Sequence, residues 1–318
     1  MSNLIIFTSP FVFTVLLMPV FINKLKSFSF GQQIRKEGPE SHYSKEGVPT
    51  MGGALILVLV SLLVVIFLDW STEIMIILLA IITNGFLGLV DDILNIKGAE
   101  SLGLKAKTKF LIQLFIGLII GILLYYYNFT DLYIPFTSSN INLSYFVIPF
   151  SLILIPATSN AVNLSDGLDG LASGLFTISC LAFIPILYFL GYNQLIVIVA
   201  ITISSCLGFL WYNVNPAQIF MGDTGSLFLG SFLATVALLT GTSLYLIFIG
   251  GMFVLVTLSV ILQVSYFKIT NGKRIFKMAP IHHHFELSGW PEIKVTMRFL
   301  ILHILFSGIG LISFLPLI

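Results

Sequence analysis

Ten apolar stretches, separated by short polar intervals, leave this 318-residue chain few ways to fold. They fall at residues 4–22, 51–68, 74–90, 110–127, 145–162, 171–190, 195–211, 226–239, 244–267 and 299–317. A helix of about 20 residues spans the hydrocarbon core of a bilayer, and only helices and closed barrels satisfy their backbone groups there. The chain is therefore expected to be an all-α integral membrane protein of about ten transmembrane helices. The eighth run is short and the ninth long. No interval has room for a soluble domain, so residues 1–318 read as a single polytopic domain. The first run has no basic residue before it and no small-residue cleavage site, which suits a retained helix and not a removed signal peptide.

Charge gives the orientation. Only 9% of the residues are charged, where a soluble domain carries about 25%. A net charge of +1 leaves no basic face for a nucleic acid. The fifteen Lys and Arg residues occupy alternate intervals. The first group is Lys24, Lys26, Arg35, Lys36 and Lys45; the second is Lys97, Lys105, Lys107 and Lys109; the third is Lys268, Lys273, Arg274, Lys277, Lys294 and Arg298. The opposite intervals hold Asp69, Glu73 and Asp131 without a basic residue. The positive-inside rule then puts the basic intervals in the cytoplasm and both termini outside. In the outside interval 131–144, alternating runs flank Thr-Ser-Ser-Asn and predict a small external β-hairpin. Cys180 and Cys206 lie within apolar runs and read as small core residues.

Residues 160–170, Asn-Ala-Val-Asn-Leu-Ser-Asp-Gly-Leu-Asp-Gly, break the apolar pattern. Polar groups are costly in a medium that cannot hydrogen-bond them, and ionisable ones in a membrane protein are functional candidates. Asn163, Asp166 and Asp169 recur every third residue, so on a helix they would share a face. An ordinary polar loop is the competing reading of this segment alone. Asp91 and Asp92 close the third run, at the cytoplasmic end of its helix. Carboxylates there oppose the helix dipole and repel each other, which favours a cation site or a tuned general base over a solvated helix end.

Asp223 stands in Phe220-Met-Gly-Asp-Thr-Gly-Ser226, just before the eighth run. Two readings are open for it, a ligand to a cation and an N-cap satisfying free N–H groups. Trp211, Asn213 and Asn215 lie at the same level. The segment 279–291 carries His282, His283 and His284. Successive residues diverge by about 100° on a helix, so a three-histidine metal site is disfavoured and imidazoles meeting a diphosphate fit better. The motif Pro49-Thr-Met-Gly-Gly53 suggests a fixed turn into the second helix, with Lys45 just before it, in reach of an anionic ligand. Carboxylates, amides, a lysine and histidines thus gather at one membrane face. That set suits a diphosphate substrate, magnesium and phosphoryl transfer.

At these motifs the sequence resembles the bacterial phospho-N-acetylmuramoyl-pentapeptide transferases, or translocase I, of the polyprenyl-phosphate N-acetylhexosamine-1-phosphate transferase superfamily. The aspartate motifs mark the superfamily and Pro280-Ile-His-His-His-Phe-Glu286 the muramoyl-pentapeptide branch. The resemblance implies a homodimeric enzyme of the bacterial cell membrane with ten helices and a cytoplasmic active site. Its reaction would join phospho-MurNAc-pentapeptide from UDP-MurNAc-pentapeptide to undecaprenyl phosphate, giving lipid I and UMP for peptidoglycan synthesis, with Mg2+ required. By motif matching, Asp91, Asp92 and Asp223 take catalytic positions. Asp91 matches the base that deprotonates the lipid phosphate, and Asp223 the magnesium ligand. Asn163 and Asp166 would line the metal and diphosphate site. Lys45, Gly167, Leu168, Asp169, Asn213 and Phe220 would form the nucleoside pocket, with Phe220 stacking on uracil, while His282, His283 and His284 would meet the donor. Where the family often has a basic residue three positions after the paired aspartates, this chain has Asn95, leaving Lys97 or Lys107 as substitutes.

A sister enzyme transferring GlcNAc-1-phosphate would share the aspartates and differ mainly in the histidine loop. A transporter is disfavoured, because its coupling sites would lie near the bilayer midplane and here the ionisable groups gather at one interface.

Overall fold

The computed structural model describes residues 3–27, 45, 47–97 and 103–318. Arg35, Lys36 and the side chain of Lys97 lie outside the described residues. Twelve α-helices follow in order: α1 (Asn3–Ser27), α2 (Gly52–Phe67), α3 (Thr72–Lys97), α4 (Ala106–Tyr126), α5 (Val147–Ser165), α6 (Leu171–Phe189), α7 (Asn193–Asn213), α8 (Gly222–Leu239), α9 (Leu246–Ile249), α10 (Gly251–Ile269), α11 (Ile281–Glu286) and α12 (Glu292–Phe314). Among the described residues, nine helices are long and apolar enough to cross a membrane, and α2, at 16 residues, is a shorter apolar one. The ten apolar runs are therefore helical, the ninth broken at Gly250 into α9 and α10, and the protein is an all-α, multi-pass membrane protein. Two boundaries differ from expectation. Helix α3 continues about two turns past Val90 to Lys97, and α12 begins at Glu292 rather than near residue 299, carrying Lys294 and Arg298 in its first turns.

Helix α8 is the axis of the bundle: 89% of its apolar window is buried, against 22% for α1. It lies against α2, α3 and α5. Its small residues, such as Gly225, Ser226, Gly230, Ser231 and Ala234, explain why so short a helix takes this place. Between helices in lipid the driving force is close packing, which small side chains permit. The approach is tightest at the end that carries Asp223. A Cβ on Gly53 of α2 would stand 2.1 Å from the Cα of Gly225, and one on Gly88 of α3 2.3 Å from the carbonyl oxygen of Asp223.

The two ends of the bundle differ. At one end, strands β1 (Asp131–Tyr133) and β2 (Asn140–Asn142) form the expected antiparallel hairpin, with Leu132 opposite Ile141. It docks where two helices end: Tyr133 N–H donates to the carbonyl of Gly241, just past α8, and Phe136 N–H to that of Ser313 in the last turn of α12. The opposite ends of those same helices carry Asp223 and Glu292, so hairpin and polar site stand at opposite faces.

At the polar end, α2 starts on Met51, whose φ of 75° and apolar side chain provide no side-chain cap. Its first amides are satisfied by the segment preceding α8 instead. Gly52 N–H donates to the Phe220 carbonyl at 2.8 Å and Gly53 N–H to that of Met221 at 2.9 Å, while Phe220 N–H donates back to Pro49 at 2.8 Å. The Pro49–Gly53 and Phe220–Met221 motifs are thus two sides of one joint.

Candidate active site

The N-terminus of α8 is capped from another helix. Asp92 Oδ1 accepts Asp223 N–H at 2.9 Å, and its Oδ2 accepts Thr224 N–H at 2.9 Å and Thr224 Oγ–H at 2.6 Å. Gly222, at φ 76°, brings the backbone so close that a Cβ there would meet Asp92 Oδ2 at 2.8 Å. Asp223 makes no capping bond to its own helix, which removes the N-cap reading of that residue. Its carboxylate turns outward to other helices: Asn163 Nδ2 donates to Oδ1 at 2.7 Å, and Lys109 Nζ donates to Oδ2. Lys109 also reaches Asp91 Oδ2 at 3.2 Å, so one largely buried ammonium joins carboxylates from α3 and α8. Leu104 N–H donates to Asp91 Oδ1 at 2.5 Å, and Asn95 Oδ1 accepts Gly103 N–H at 2.5 Å, holding these two residues beside Asp91.

Helix α5 stops at Ser165, so Asn163, Asp166 and Asp169 do not share a helical face. Asn163 joins Asp223 and Ser226, whereas Asp169 belongs to a second cluster. Asp166 lies at the helix end between them. Burial, aided by the negative charges of Asp223 and Asp92, pushes its carboxyl up to about 8. Gly167 receives the histidine loop: a Cβ there would stand 2.3 Å from His282 Nε2 and 3.2 Å from His283 Nε2. His282 is fully buried, and His283 Nδ1 pairs with Glu286 Oε2 at 2.7 Å. The rings of His282 and His283 stay together there, with centroids 4.2 Å apart. His284 turns away, accepting Lys277 N–H at 3.1 Å and meeting the Phe276 ring. Phe285 anchors the loop by stacking on Trp290, with centroids 4.7 Å apart.

The second cluster contains the residues expected around a nucleoside. Lys45 Nζ donates to Asp169 Oδ1 and to Glu292 Oε1, each at 2.6 Å, and stands 5.8 Å from the centre of the Phe220 ring. Asn213 Oδ1 accepts Gly170 N–H at 3.1 Å, and its amide donates to the Ile219 carbonyl at 2.9 Å. It braces the turn around Gly167, Leu168 and Asp169 against the segment leading to Phe220. Leu168 is buried beneath that turn.

Three participants were not anticipated. Lys109 supplies a cation beside the aspartates, while Lys107 is exposed. Its signal was legible, since a lysine in the first turns of a membrane helix opposes the helix dipole just as Asp91 does at the other end. Thr224 followed Asp223 in the quoted motif but had no assigned partner. Glu292 was hidden by starting the tenth run too late.

Around Lys109 the site gathers Asp91, Asp92, Asp166 and Asp223, four carboxyl groups against one ammonium. Such an excess suits a cation. Among the described residues no three His, Cys, Asp or Glu side chains form a metal cage on their own. The donors present are carboxylate and amide oxygens, the kind that magnesium takes together with substrate phosphates.

Residues 74–241 match the model of glycosyl transferase family 4. A phospho-N-acetylmuramoyl-pentapeptide-transferase of Clostridium botulinum is 46% identical over 309 residues, covering 95% of this chain and 94% of its own. One of Staphylococcus carnosus is 46% identical over 308 residues, covering 95% and 96%. One of Rickettsia prowazekii is 45% identical over 316 residues, covering 93% and 88%. By more than half its length in the family match and nearly all of it in these relatives, the chain belongs to glycosyl transferase family 4, within the phospho-N-acetylmuramoyl-pentapeptide-transferase branch.

Proposed function

We propose that the chain transfers phospho-N-acetylmuramoyl-pentapeptide from UDP-MurNAc-pentapeptide to undecaprenyl phosphate at the cytoplasmic face of a bacterial cell membrane, forming lipid I and UMP. The observation that carries this reading is the meeting of Asp91 and Asp223, from separate helices, on the ammonium of Lys109. A phosphate-binding cation and a candidate base are thereby held in one buried place, next to an aromatic pocket for a nucleoside.

In this reading Asp91 takes the proton from the lipid phosphate. That oxygen attacks the phosphorus attached to the sugar; a new O–P bond forms, the bridging bond of the diphosphate breaks, and UMP leaves. Lys109 faces the phosphate charge, since phosphoryl transfer relies mainly on positioning and charge neutralisation. Asp92 keeps α8, and with it Asp223, in register. Asp223 would hold the magnesium ion, with Asn163 and Asp166 alongside. When bound, that ion neutralises the diphosphate and the leaving UMP. Phe220 offers its ring to uracil, Lys45 and Asp169 border it, and His282 and His283 meet the donor beside Gly167. The basic intervals favour a cytoplasmic site. The active unit is taken to be a homodimer of the single 1–318 domain.

The test is reconstitution of the purified protein with Mg2+, undecaprenyl phosphate and UDP-MurNAc-pentapeptide. UMP and a lipid-linked product should appear together and stop on chelation. Undiminished product after chelation would remove the magnesium role, and no lipid-linked product would remove the reaction.

A further inference from the structure

Glu292 opens α12, where an acidic residue would ordinarily do no more than favour the helix dipole. Its side chain does something else. It is only 11% exposed and reaches back across three other segments. Oε1 accepts Lys45 Nζ at 2.6 Å and Asp169 N–H at 2.8 Å, and Oε2 accepts Asn215 Nδ2 at 3.2 Å. Asp169 uses the same two side chains: its Oδ1 accepts Lys45 Nζ at 2.6 Å, and its Oδ2 accepts Asn215 Nδ2 at 3.0 Å and Ala217 N–H at 3.0 Å. Two buried carboxylates thus share one ammonium and one amide. Burying a carboxylate costs several kcal/mol unless it is paired and hydrogen-bonded, and the shared partners offset that cost for both.

We propose that Glu292 is a positioning residue of the donor pocket, holding Lys45 beside the Phe220 ring and fixing the Leu168–Asp169 peptide. The inference rests on the nucleoside-pocket reading above. Geometry gives the reason. Without Glu292, Lys45 keeps Asp169 as its acidic partner and is no longer held from the α12 side. The Asp169 N–H also loses its acceptor, at the turn that borders the ring. The phosphate chemistry belongs to the other cluster, around Lys109, and shares none of these bonds. The consequence is selective: donor binding weakens while the chemical step is spared.

The experiment measures UMP affinity by equilibrium binding, and KM and kcat for the donor, in the full-length protein in detergent with Mg2+. Glu292→Ala should weaken UMP and raise the donor KM by about tenfold or more, the scale expected for lost hydrogen bonds to a charged group, with kcat and the acceptor KM within about threefold of wild type. Glu292→Gln retains the Oε1 acceptor and should recover most of the affinity. Glu292→Asp, one methylene shorter, keeps the charge but not the reach and should resemble Ala. If Glu292→Ala does not fold, the Gln and Asp variants decide: normal Asp with impaired Gln overturns the proposal. Equal UMP affinity in wild type and Glu292→Ala, or a loss confined to kcat, also overturns it. A wild-type protein that neither binds UMP nor releases it from the donor refutes the nucleoside-pocket reading instead.

Discussion

Asp92 caps Thr224 across the α3–α8 interface, taking both its amide and its hydroxyl on one carboxylate oxygen at 2.9 and 2.6 Å. Adjacent Asp91 accepts no α8 amide; it faces Lys109 and the Asp223 carboxyl. The pair is therefore divided between support and chemistry. Asp92→Asn leaves one accepting oxygen where two are used now, so it should destabilise the protein by about 1–2 kcal/mol, the scale of a lost hydrogen bond to a charged group, and lower activity through a displaced Asp223. Asp91→Asn should cut kcat by orders of magnitude with little change in melting temperature. Thermal unfolding in detergent beside kcat measurements separates them; an equal stability loss in both variants would contradict the division.

Lys109 bridges two carboxylates that would otherwise repel. Lys109→Met should reduce kcat by about a hundredfold or more, the magnitude seen when one stabiliser of developing charge is removed. The binding of UMP, which depends on the other cluster, should change far less. Loss of UMP affinity matching the loss of kcat would place Lys109 in the wrong pocket.

Burial, with the charges of Asp223 and Asp92, pushes the Asp166 carboxyl up to about 8 from an ordinary 3.8. At neutral pH it keeps its proton, and a cation arriving beside it must displace that proton. The half-saturating Mg2+ concentration should fall as pH rises toward about 8 and level off above, and Asp166→Asn should flatten the slope. The sign for stability is opposite: the folded chain binds a proton that the unfolded chain releases, so stability from this group is full below 3.8 and declines as pH rises to about 8. Mg2+ activation curves at several pH values check the first effect, and a half-saturating concentration independent of pH would contradict it.

The apolar pattern was enough to place ten helices, nine of them among the described residues long enough to cross a membrane, because such runs have one satisfactory structure in lipid; the turn residues placed the hairpin. Helix ends were less legible. The charged turns of α12 and the last turns of α3 look like loop, yet tertiary partners keep them helical. The motif residues Asp91, Asp223, Asn163 and Lys45 were readable because charged and polar groups at a membrane edge call for a reason. Their pairing was not, since Lys109–Asp223 and Lys45–Glu292 join residues 114 and 247 positions apart. Nor could spacing reveal that Asp166 and Asp169 fall in different clusters, because that follows from α5 ending at Ser165.

Orientation is checked by labelling. Ser139 in the hairpin and Ser288 after α11 are both exposed, while Cys180 and Cys206 are buried. With both native cysteines replaced, Ser139→Cys should react with an impermeant thiol reagent from outside intact cells, and Ser288→Cys only after the cytoplasmic side is opened. Labelling of both from one side would contradict the ten-span topology.

Donor choice tests the proposed activity most directly. Uridine, diphosphate and magnesium are common to UDP-MurNAc-pentapeptide and UDP-GlcNAc, so neither the Asp91–Lys109–Asp223 cluster nor the Phe220 pocket distinguishes them. Discrimination falls to the segment from α11 to α12, where His282 and His283 close on Gly167. Purified protein with Mg2+ and undecaprenyl phosphate should release UMP from UDP-MurNAc-pentapeptide and not from UDP-GlcNAc. UMP released from UDP-GlcNAc, with none from the muramoyl donor, would contradict the assignment and make the chain the sister GlcNAc-1-phosphate transferase.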